Sequence, residues 1–458
     1  MNFLSNIKNF NSFFWGYILL FLLCGTGIFF SFRLRFVQVR KFKDCFKHTF
    51  GNLSLHGEKA GDEGMTSFQS LATAIAAQVG TGNLAGAATA ITMGGPGAIF
   101  WMWLSAFFGM STIFAEATLA QKYKTKINGE VTGGPAYYIE AAFKGNLGKT
   151  LACAFSIFII LALGFMGNMV QSNSIGVAFS NAFQIDPIFI GIFVAFLAGL
   201  IFFGGRAKIA SVTEKIVPIM ALFYIIGAII ILFLKASNIL PALKSIFICA
   251  FSPAAATGGL IGVTIKEAIR YGVSRGLFSN EAGMGSTPHA HAIAKVKHPC
   301  DQGIVAMMGV FIDTFIILTL TALIILTTGV LDGKATGIIL TQNAFDAGFG
   351  SFGHVFIAIC LFFFAFSTIV GWYFFGEINI KFLFGDKAKK YYAFLVLIFL
   401  VIGATLKVDL VWELADTFNG FMVIPNLLAL LSLNKIVVNL LKEYETPKNN
   451  IIPLDKKH

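Results

Sequence analysis

A polar segment, QVGTGN at residues 78–83, lies inside a long apolar run. Gly80, Gly82 and Ala85 fit the G-x-G-x-x-[GA] fingerprint of a dinucleotide site. Small residues also allow helices to pack closely, and glycines let a membrane helix leave helical geometry. An interruption of the last kind frees backbone carbonyls for a small cation and N–H groups for a carboxylate.

The surroundings of this segment disfavour a nucleotide site. Such a site needs a preceding β-strand and an acidic residue about 20 positions later to bind the ribose. Residues 66–79 instead have the composition of a helix, and no Asp or Glu occurs between Glu63 and Glu116. Helix packing does not explain the polar side chains. A helix break that binds ligands is favoured, and packing is the alternative.

The composition indicates a membrane protein. Of 458 residues, 56% are hydrophobic and 12% are charged, whereas soluble proteins have about 25% charged residues. The net charge of +11 does not indicate nucleic-acid binding, because no basic patch on a soluble segment is interleaved with aromatic residues. We expect the lipid bilayer as a partner and no nucleic acid.

Apolar runs of about 20 residues predict eleven membrane spans. Lys and Arg are concentrated in the loop 35–65 and in every second loop after it. Basic loops face the cytoplasm, so we expect a bacterial plasma (inner) membrane protein with its N-terminus outside and its C-terminus inside. The predicted spans are 12–34, 66–93, 96–121, 149–177, 187–204, 210–234, 258–284, 303–329, 353–378, 391–407 and 417–442.

Two predicted spans are interrupted, the second by GTGN at 80–83 and the seventh by GLFSNEAG at 276–283. They lie five spans apart and therefore cross the membrane in opposite directions. Two sets of five spans in opposite topology, each opening with an interrupted helix, predict an all-α inverted-repeat transporter with its site at the breaks. The predicted units are an extra N-terminal helix with a basic loop (1–65), two repeats (66–234 and 258–442) and a cytoplasmic tail (443–458).

Several longer blocks resemble the alanine or glycine:cation symporter family of sodium-coupled amino-acid carriers. The blocks are VGTGNLAGAATAI, GGPGAIFWMW, FAEATLAQKY, TGGPAYYI, GFMGNMVQSNSI and GLFSNEAGMGSTPHAHA, and the match runs over roughly residues 60–440. The resemblance implies a leucine-transporter-type 5+5 inverted repeat with one extra N-terminal helix. It also implies import of alanine or glycine, with Na⁺ as the coupling ion and no organic cofactor.

The same resemblance implies a substrate site at the two breaks. Backbone N–H groups around Thr81 and Gly82 would bind the substrate carboxylate, and large side chains would leave room only for a small substrate. Gln171 shares a polar helix face with Asn168 and Ser172, for which interhelical hydrogen bonding is the alternative. The implied substrate-binding residues are Gln78, Thr81, Gly82, Gln171, Phe278, Ser279, Asn280 and Trp372.

The resemblance also implies a sodium site at the first break. One position would use the side-chain amide of Asn83, and a second would use backbone carbonyls with two hydroxyls. These groups are all oxygen ligands, which hard cations prefer. The implied sodium ligands are Ala76, Val79, Asn83, Phe364, Ser367 and Thr368.

Acidic residues inside membrane spans are costly and are therefore functional candidates. Asp313 lies mid-span and is assigned to sodium binding, with a buried hydrogen-bonded pair as the alternative. Glu116 lies towards the cytoplasmic end of its span. Glu281 lies in the second break, where it is expected to cap the broken helix or to pair with Arg275.

The remaining motifs favour a transporter over other classes of protein. His289-x-His291 and His298-x-Cys300 have a metal-like spacing, but they fall in a predicted cytoplasmic loop where no acid completes a site. No Ser-His-Asp or Cys-His set shares a membrane depth, so we expect no enzyme and no metal other than sodium. A proton-coupled carrier using Asp313 or Glu116 is the alternative, and a non-transporting receptor is a weaker one.

Overall fold

The computed structural model describes residues 3–50, 64–252, 264–331, 333–406 and 409–446. The first part of the predicted span 258–284, the end of the span 391–407 and most of the predicted tail lie outside these residues. Within the described residues, eight helices are long and apolar enough to cross a membrane. They are Phe3–Arg33, Gly97–Lys122, Asn146–Phe183, Gly205–Leu234, Pro299–Thr328, Phe352–Phe384, Asp386–Thr405 and Asp409–Ser432.

Shorter elements connect or flank these helices. A β-hairpin pairs Thr125–Ile127 with Glu130–Thr132 in antiparallel register. Its two-residue turn, Asn128-Gly129, has positive φ at both positions, as a twisted hairpin turn requires. The shorter helices are Val37–Arg40, Phe42–Phe50, Ser67–Gln78, Ala87–Gly94, Pro135–Ala142, Pro187–Phe202, Ile239–Phe251, Ile265–Asn280, Pro288–Ala292, Gly337–Phe349 and Asn434–Glu445.

The predicted interruption at residues 80–83 is confirmed. The helix Ser67–Gln78 begins with a Thr66/Gln69 capping box and ends where Val79 turns to extended geometry. A short π-helical turn, Gly82–Gly86, then leads into Ala87–Gly94. We call residues 79–86 the first break, and every one of them is buried.

The second interruption is displaced from its predicted position. The helix Ile265–Asn280 continues through most of the predicted stretch 276–283 and stops at Glu281, whose φ of 58° is left-handed. Gly276 packs against Met102, because a Cβ there would lie 3.3 Å from the Met102 side chain. This glycine therefore serves close helix packing. We call residues 281–287 the second break.

Other boundaries also differ from the prediction. The predicted span 417–442 is divided between Asp409–Ser432 and a separate helix, Asn434–Glu445. The prediction missed the beginning of the first of these helices because Asp409, Glu413 and Asp416 lower its hydropathy. Exposed aromatic side chains elsewhere, such as Phe233 at 81% exposed, suit a lipid-facing surface.

Candidate functional site

The first break is held by its own Asn83 and by side chains from two other helices. The Gly80 N–H donates to Asn83 Oδ1 at 2.9 Å, and the Thr81 N–H donates to Gln171 Oε1 at 3.2 Å. A Cβ at Gly80 would overlap Thr368 Oγ1, so only glycine fits there. Gln171 thus touches the predicted carboxylate-binding backbone.

One hydroxyl in the first break is left without a partner. Thr81 Oγ1 is buried and makes no hydrogen bond within the described residues. Gln78 donates through Nε2 to the Asn280 carbonyl at 2.7 Å, which joins the two broken helices, while its Oε1 also lacks a partner and lies against Gly309. Because buried polar groups are nearly always paired, Thr81 is a candidate ligand contact, although other buried groups of the described residues, such as Thr287 Oγ1 in the second break, are unpaired as well.

The hydroxyls of Ser279 and Thr314 and the amide nitrogen of Asn83 surround the carboxylate of Asp313. Its Oδ1 accepts from Asn83 Nδ2 at 2.6 Å and from Ser279 Oγ at 3.0 Å. Its Oδ2 accepts from Thr314 Oγ1 at 2.8 Å, and Thr314 Oγ1 accepts from Asn280 Nδ2 at 3.1 Å. Asp313 is fully buried, and the described residues provide it with no basic partner. A buried carboxylate among neutral groups is a site for a cation or a proton.

A second oxygen cluster lies where the first break meets the helix Phe352–Phe384. Thr368 Oγ1 lies 3.0 Å from the Ala76 carbonyl, 3.3 Å from the Val79 carbonyl and 3.0 Å from the Phe364 carbonyl. Ser367 Oγ lies 3.3 Å from the Ala76 carbonyl and 2.9 Å from that of Phe364. Each hydroxyl donates only one hydrogen bond, so a cation would satisfy these carbonyls better.

The aromatic side chains predicted for the wall of the substrate site contact one another. The rings of Phe278 and Trp372 meet edge to face with centroids 6.0 Å apart, and Phe278 also contacts Trp412 at 5.4 Å. Sequence reasoning missed Trp412, which lies in the first turn of the helix Asp409–Ser432, the part of that helix that the predicted span did not include. Gly82 packs against Ser279, since a Cβ at Gly82 would lie 3.0 Å from Ser279 Cα.

The second break is held by a buried carboxylate from another helix. Glu116 accepts from the Gly283 N–H at 3.0 Å, from the Gly285 N–H at 2.9 Å and from Asn426 Nδ2 at 2.7 Å. The Tyr138 hydroxyl in turn donates to Asn426 Oδ1 at 2.5 Å. This role of Glu116 was not predicted, and its position in an apolar span was the only signal.

Glu281 does not pair with Arg275 as one prediction had it. Glu281 accepts from Trp372 Nε1 and from Ser286 Oγ, both at 2.5 Å. Arg275 instead forms an ion pair with Asp416 at 3.1 Å. The helix continues to Asn280, which places Arg275 more than one turn away from Glu281 and towards the helix Asp409–Ser432.

The two histidines next to the second break are buried, although a cytoplasmic loop was predicted for them. His289 interacts through Nδ1 with the Ser286 carbonyl at 2.7 Å and through Nε2 with the Asn379 side chain at 2.8 Å. His291 interacts with Gln302 at 2.7 Å. Among the described residues, no group of three or more His, Cys, Asp or Glu could hold a metal ion.

The match to a known family agrees with this geometry. A model of the sodium:alanine symporter family matches residues 1–455. The chain belongs to this family. It is 43% identical to the sodium/alanine symporter AgcS of Methanococcus maripaludis, over 98% of this chain and 99% of that protein.

Two relatives from Bacillus subtilis show the range of names within the sodium:alanine symporter family. The putative sodium/proton-dependent alanine carrier protein YrbD is 41% identical over 96% of this chain and 92% of its own. The probable sodium/glutamine symporter GlnT is also 41% identical, over 96% of this chain and 90% of its own. The chain is therefore a multi-pass amino-acid:cation symporter and not an enzyme.

Solved structures place this family member in the leucine-transporter fold. The structure of MhsT in complex with L-phenylalanine aligns with a TM-score of 0.58 at 15% identity, covering 84% of this chain and 99% of that one. A mutant manganese transporter from Eremococcus coleocola aligns with a TM-score of 0.53 at 12% identity, covering 85% and 82%. The predicted fold class is confirmed, whereas the count of eleven spans stays a prediction.

Proposed function

We propose that this protein is a sodium-coupled symporter that imports a small neutral amino acid, alanine or glycine, by alternating access. The observation that carries the proposal is the meeting of two oxygen clusters, around Asp313 and Thr368, at one broken helix. A broken helix of this kind supplies carbonyls for ions and N–H groups for a carboxylate within a few residues. The alanine named in the M. maripaludis relative supports the substrate class.

The substrate is proposed to bind with its carboxylate against the backbone of Thr81 and Gly82. The free Thr81 hydroxyl and the Gln171 amide would complete this end of the site. Phe278 and Trp372 would form one wall of the substrate site. Gly82 and Ser279 are in close contact, so only a substrate with a small side chain would fit beside them. The Gln78 side chain donates a hydrogen bond to the Asn280 carbonyl, and this bond would hold the two broken helices together on one side of the substrate site.

Sodium is proposed to bind at both oxygen clusters. One ion would be coordinated by Asn83 and Asp313, and the other by the carbonyls of Ala76, Val79 and Phe364 with the hydroxyls of Ser367 and Thr368. Carbonyl, hydroxyl and carboxylate oxygens are the ligands of a hard cation. Both ions would order the first break, so ion and substrate should raise each other's affinity by the same factor.

The proposed orientation is supported by the positions of the basic residues, and the proposed repeats are supported by the two breaks. We propose that the N-terminus lies outside, that the C-terminus lies in the cytoplasm, and that residues 66–234 and 258–442 form the two inverted repeats. The N-terminal helix Phe3–Arg33 would lie outside both repeats.

Uptake of labelled alanine into proteoliposomes tests the proposal. Uptake should require an inward Na⁺ gradient, and glycine and alanine should compete while leucine should not. Because one relative is named a glutamine symporter, glutamine belongs in the competition panel. Strong competition by leucine or glutamine would contradict a small pocket, and equal uptake with a proton gradient alone would contradict sodium coupling.

A proton-coupled carrier is the second candidate. It is favoured by the buried Asp313, which could be neutralised by a proton instead of a cation, and by the sodium/proton wording in the name of one relative. The variant Asp313→Asn separates the two: abolished proton-driven uptake would support the proton, whereas retained sodium-driven uptake would exclude it.

A further inference from the structure

A cavity of about 570 Å³ lies between the end of the N-terminal helix Phe3–Arg33 and the helix Asn434–Glu445. None of the proposed substrate or sodium ligands lines it. One side of the cavity is apolar and includes Phe29, Phe32 and Val438. Phe32 is 66% exposed and Phe29 is 39% exposed. Such aromatic side chains at the end of a membrane helix suit contact with lipid chains.

The other side of the cavity is basic. Arg33, Arg35, Arg40 and Lys442 line it together with a single acid, Glu445. Glu445 is engaged by Arg40, whose Nη1 donates to its Oε1 at 2.9 Å. Within residues 3–50 and 409–446, no ion pair neutralises Arg33, Arg35 or Lys442. The cavity therefore carries an excess of positive charge next to an apolar wall.

The turn that presents this charge is built by side-chain contacts. Arg35 and Phe36 both have left-handed φ values, 55° and 52°, which are uncommon outside glycine. Arg40 holds the turn, because its Nε donates to the Arg35 carbonyl at 2.8 Å and its Nη2 donates to the Leu34 carbonyl at 3.2 Å. This fixed turn keeps the Arg35 side chain exposed beside Arg33.

The position of the cavity matches the headgroup region of a bilayer. Arg33 is the last residue of an apolar helix of 31 residues, so the basic side chains begin where the membrane span ends. In the proposed topology this end faces the cytoplasm, where anionic lipids give the membrane a negative surface potential.

We propose that this cavity binds an anionic phospholipid. The phosphate of the headgroup contacts Arg33, Arg35 and Lys442, and the acyl chains lie against Phe29 and Phe32. A basic pocket between membrane helices with an apolar wall has the chemistry of a lipid headgroup site. The combination of charge and lipid-facing aromatic rings favours a lipid over a free phosphate ion.

Native mass spectrometry of the purified full-length protein, titrated with phosphatidylglycerol or phosphatidylcholine, tests this site. We expect tighter binding of phosphatidylglycerol, and at least tenfold weaker binding to the double variant Arg35→Gln/Lys442→Gln. The matched control is Lys435→Gln, an exposed lysine of the same helix that does not line the cavity. It should bind phosphatidylglycerol within twofold of the wild type.

Two results would overturn the proposal. One is equal binding of phosphatidylglycerol by the double variant and the wild type. The other is full displacement of the lipid by millimolar inorganic phosphate, which would indicate a site for free anions. Sodium-driven alanine uptake in pure phosphatidylcholine vesicles should be the same for wild type and double variant. This comparison separates loss of the lipid site from misfolding and from failure of the proposed transport function.

Discussion

The two breaks interrupt their helices in similar ways but satisfy their polar groups differently. In the second break, Glu116 accepts hydrogen bonds from Gly283 and Gly285, and Glu281 accepts from Trp372. In the first break, the Thr81 hydroxyl has no partner within the described residues. The Thr287 hydroxyl of the second break also has no partner within the described residues. The two breaks differ in their buried carboxylates. Glu116 binds backbone N–H groups of the second break, whereas Asp313 beside the first break has no basic partner among the described residues and would be neutralised by a cation or a proton.

This difference assigns different roles to the two breaks. A buried carboxylate without a basic partner is costly, so the protein would retain Asp313 where a cation or a proton supplies the missing partner. Substitutions in the second break should therefore reduce the stability of the ligand-free protein. Substitutions in the first break should reduce ligand affinity and leave the stability of the ligand-free protein nearly unchanged.

The largest expected effect is that of Glu116→Ala. It leaves the Gly283 and Gly285 N–H groups and the Asn426 amide without their acceptor, and should destabilise the ligand-free protein by about 3 kcal/mol. Thermal unfolding in detergent, followed by intrinsic fluorescence without sodium or alanine, measures this loss. The control is Glu140→Ala, an exposed glutamate that should leave Tm unchanged. An unchanged Tm for Glu116→Ala would remove the distinction between the two breaks.

The variant Asp313→Asn should lower the affinity for sodium without lowering the stability of the sodium-free protein. Replacing a buried carboxylate that lacks a basic partner by a neutral amide should keep or raise Tm in sodium-free buffer. The same change should abolish the rise in Tm that sodium produces and should reduce sodium-driven uptake at least tenfold. Asp186→Asn is the matched control, because Asp186 is an exposed helix N-cap where Asn is equally suitable. A large loss of Tm in sodium-free buffer would instead indicate a structural role for Asp313.

A smaller effect is expected for Thr368→Val. This substitution keeps the shape of the side chain and removes the hydroxyl that lies near the Ala76, Val79 and Phe364 carbonyls. The sodium concentration for half-maximal uptake should rise about tenfold, the effect of losing about 1.4 kcal/mol of binding free energy. Thr327→Val is the control, since the Thr327 hydroxyl bonds only within its own helix. A change in alanine KM without a change in sodium dependence would contradict the assigned role.

The smallest expected effect is that of Gln171→Ala. Its side chain accepts one hydrogen bond, from the Thr81 N–H, and one such bond is worth about 1 kcal/mol. This bond is present in the ligand-free protein, so its loss should lower the free energy of unfolding by about 1 kcal/mol, less than the loss for Glu116→Ala. Because the bond also orients the Thr81 N–H at the proposed carboxylate position, the KM for alanine should rise about fivefold at saturating sodium. A fall in Tm comparable to that of Glu116→Ala would place Gln171 in the scaffold.

Sequence reasoning predicted the first break well because its signal is local. Glycines and polar residues stand together at 80–83 within an apolar run, and the helix is interrupted there. The second break was misplaced because a glycine in sequence does not reveal whether it breaks a helix or packs against one, as Gly276 does. The residues that supply oxygen atoms near the breaks were predicted from their residue types and from the resemblance to the symporter family.

The partners of the buried acids were not predictable in the same way. Glu116 meets Gly283 and Asn426 only after distant helices pack together. Asp313 likewise meets Asn83 across a separation of 230 positions. Such pairings depend on the tertiary arrangement, which local composition and hydropathy do not specify.

The most direct test of sodium-coupled binding at the first break measures alanine affinity in the purified protein with and without sodium. Isothermal titration calorimetry with alanine in NaCl and in choline chloride measures how sodium changes the affinity for alanine. Titration with sodium in the presence and absence of alanine measures how alanine changes the affinity for sodium. We predict that sodium and alanine raise each other's affinity by the same factor, and that Asp313→Asn reduces this factor towards one. Alanine binding of equal strength in sodium and choline would contradict the account.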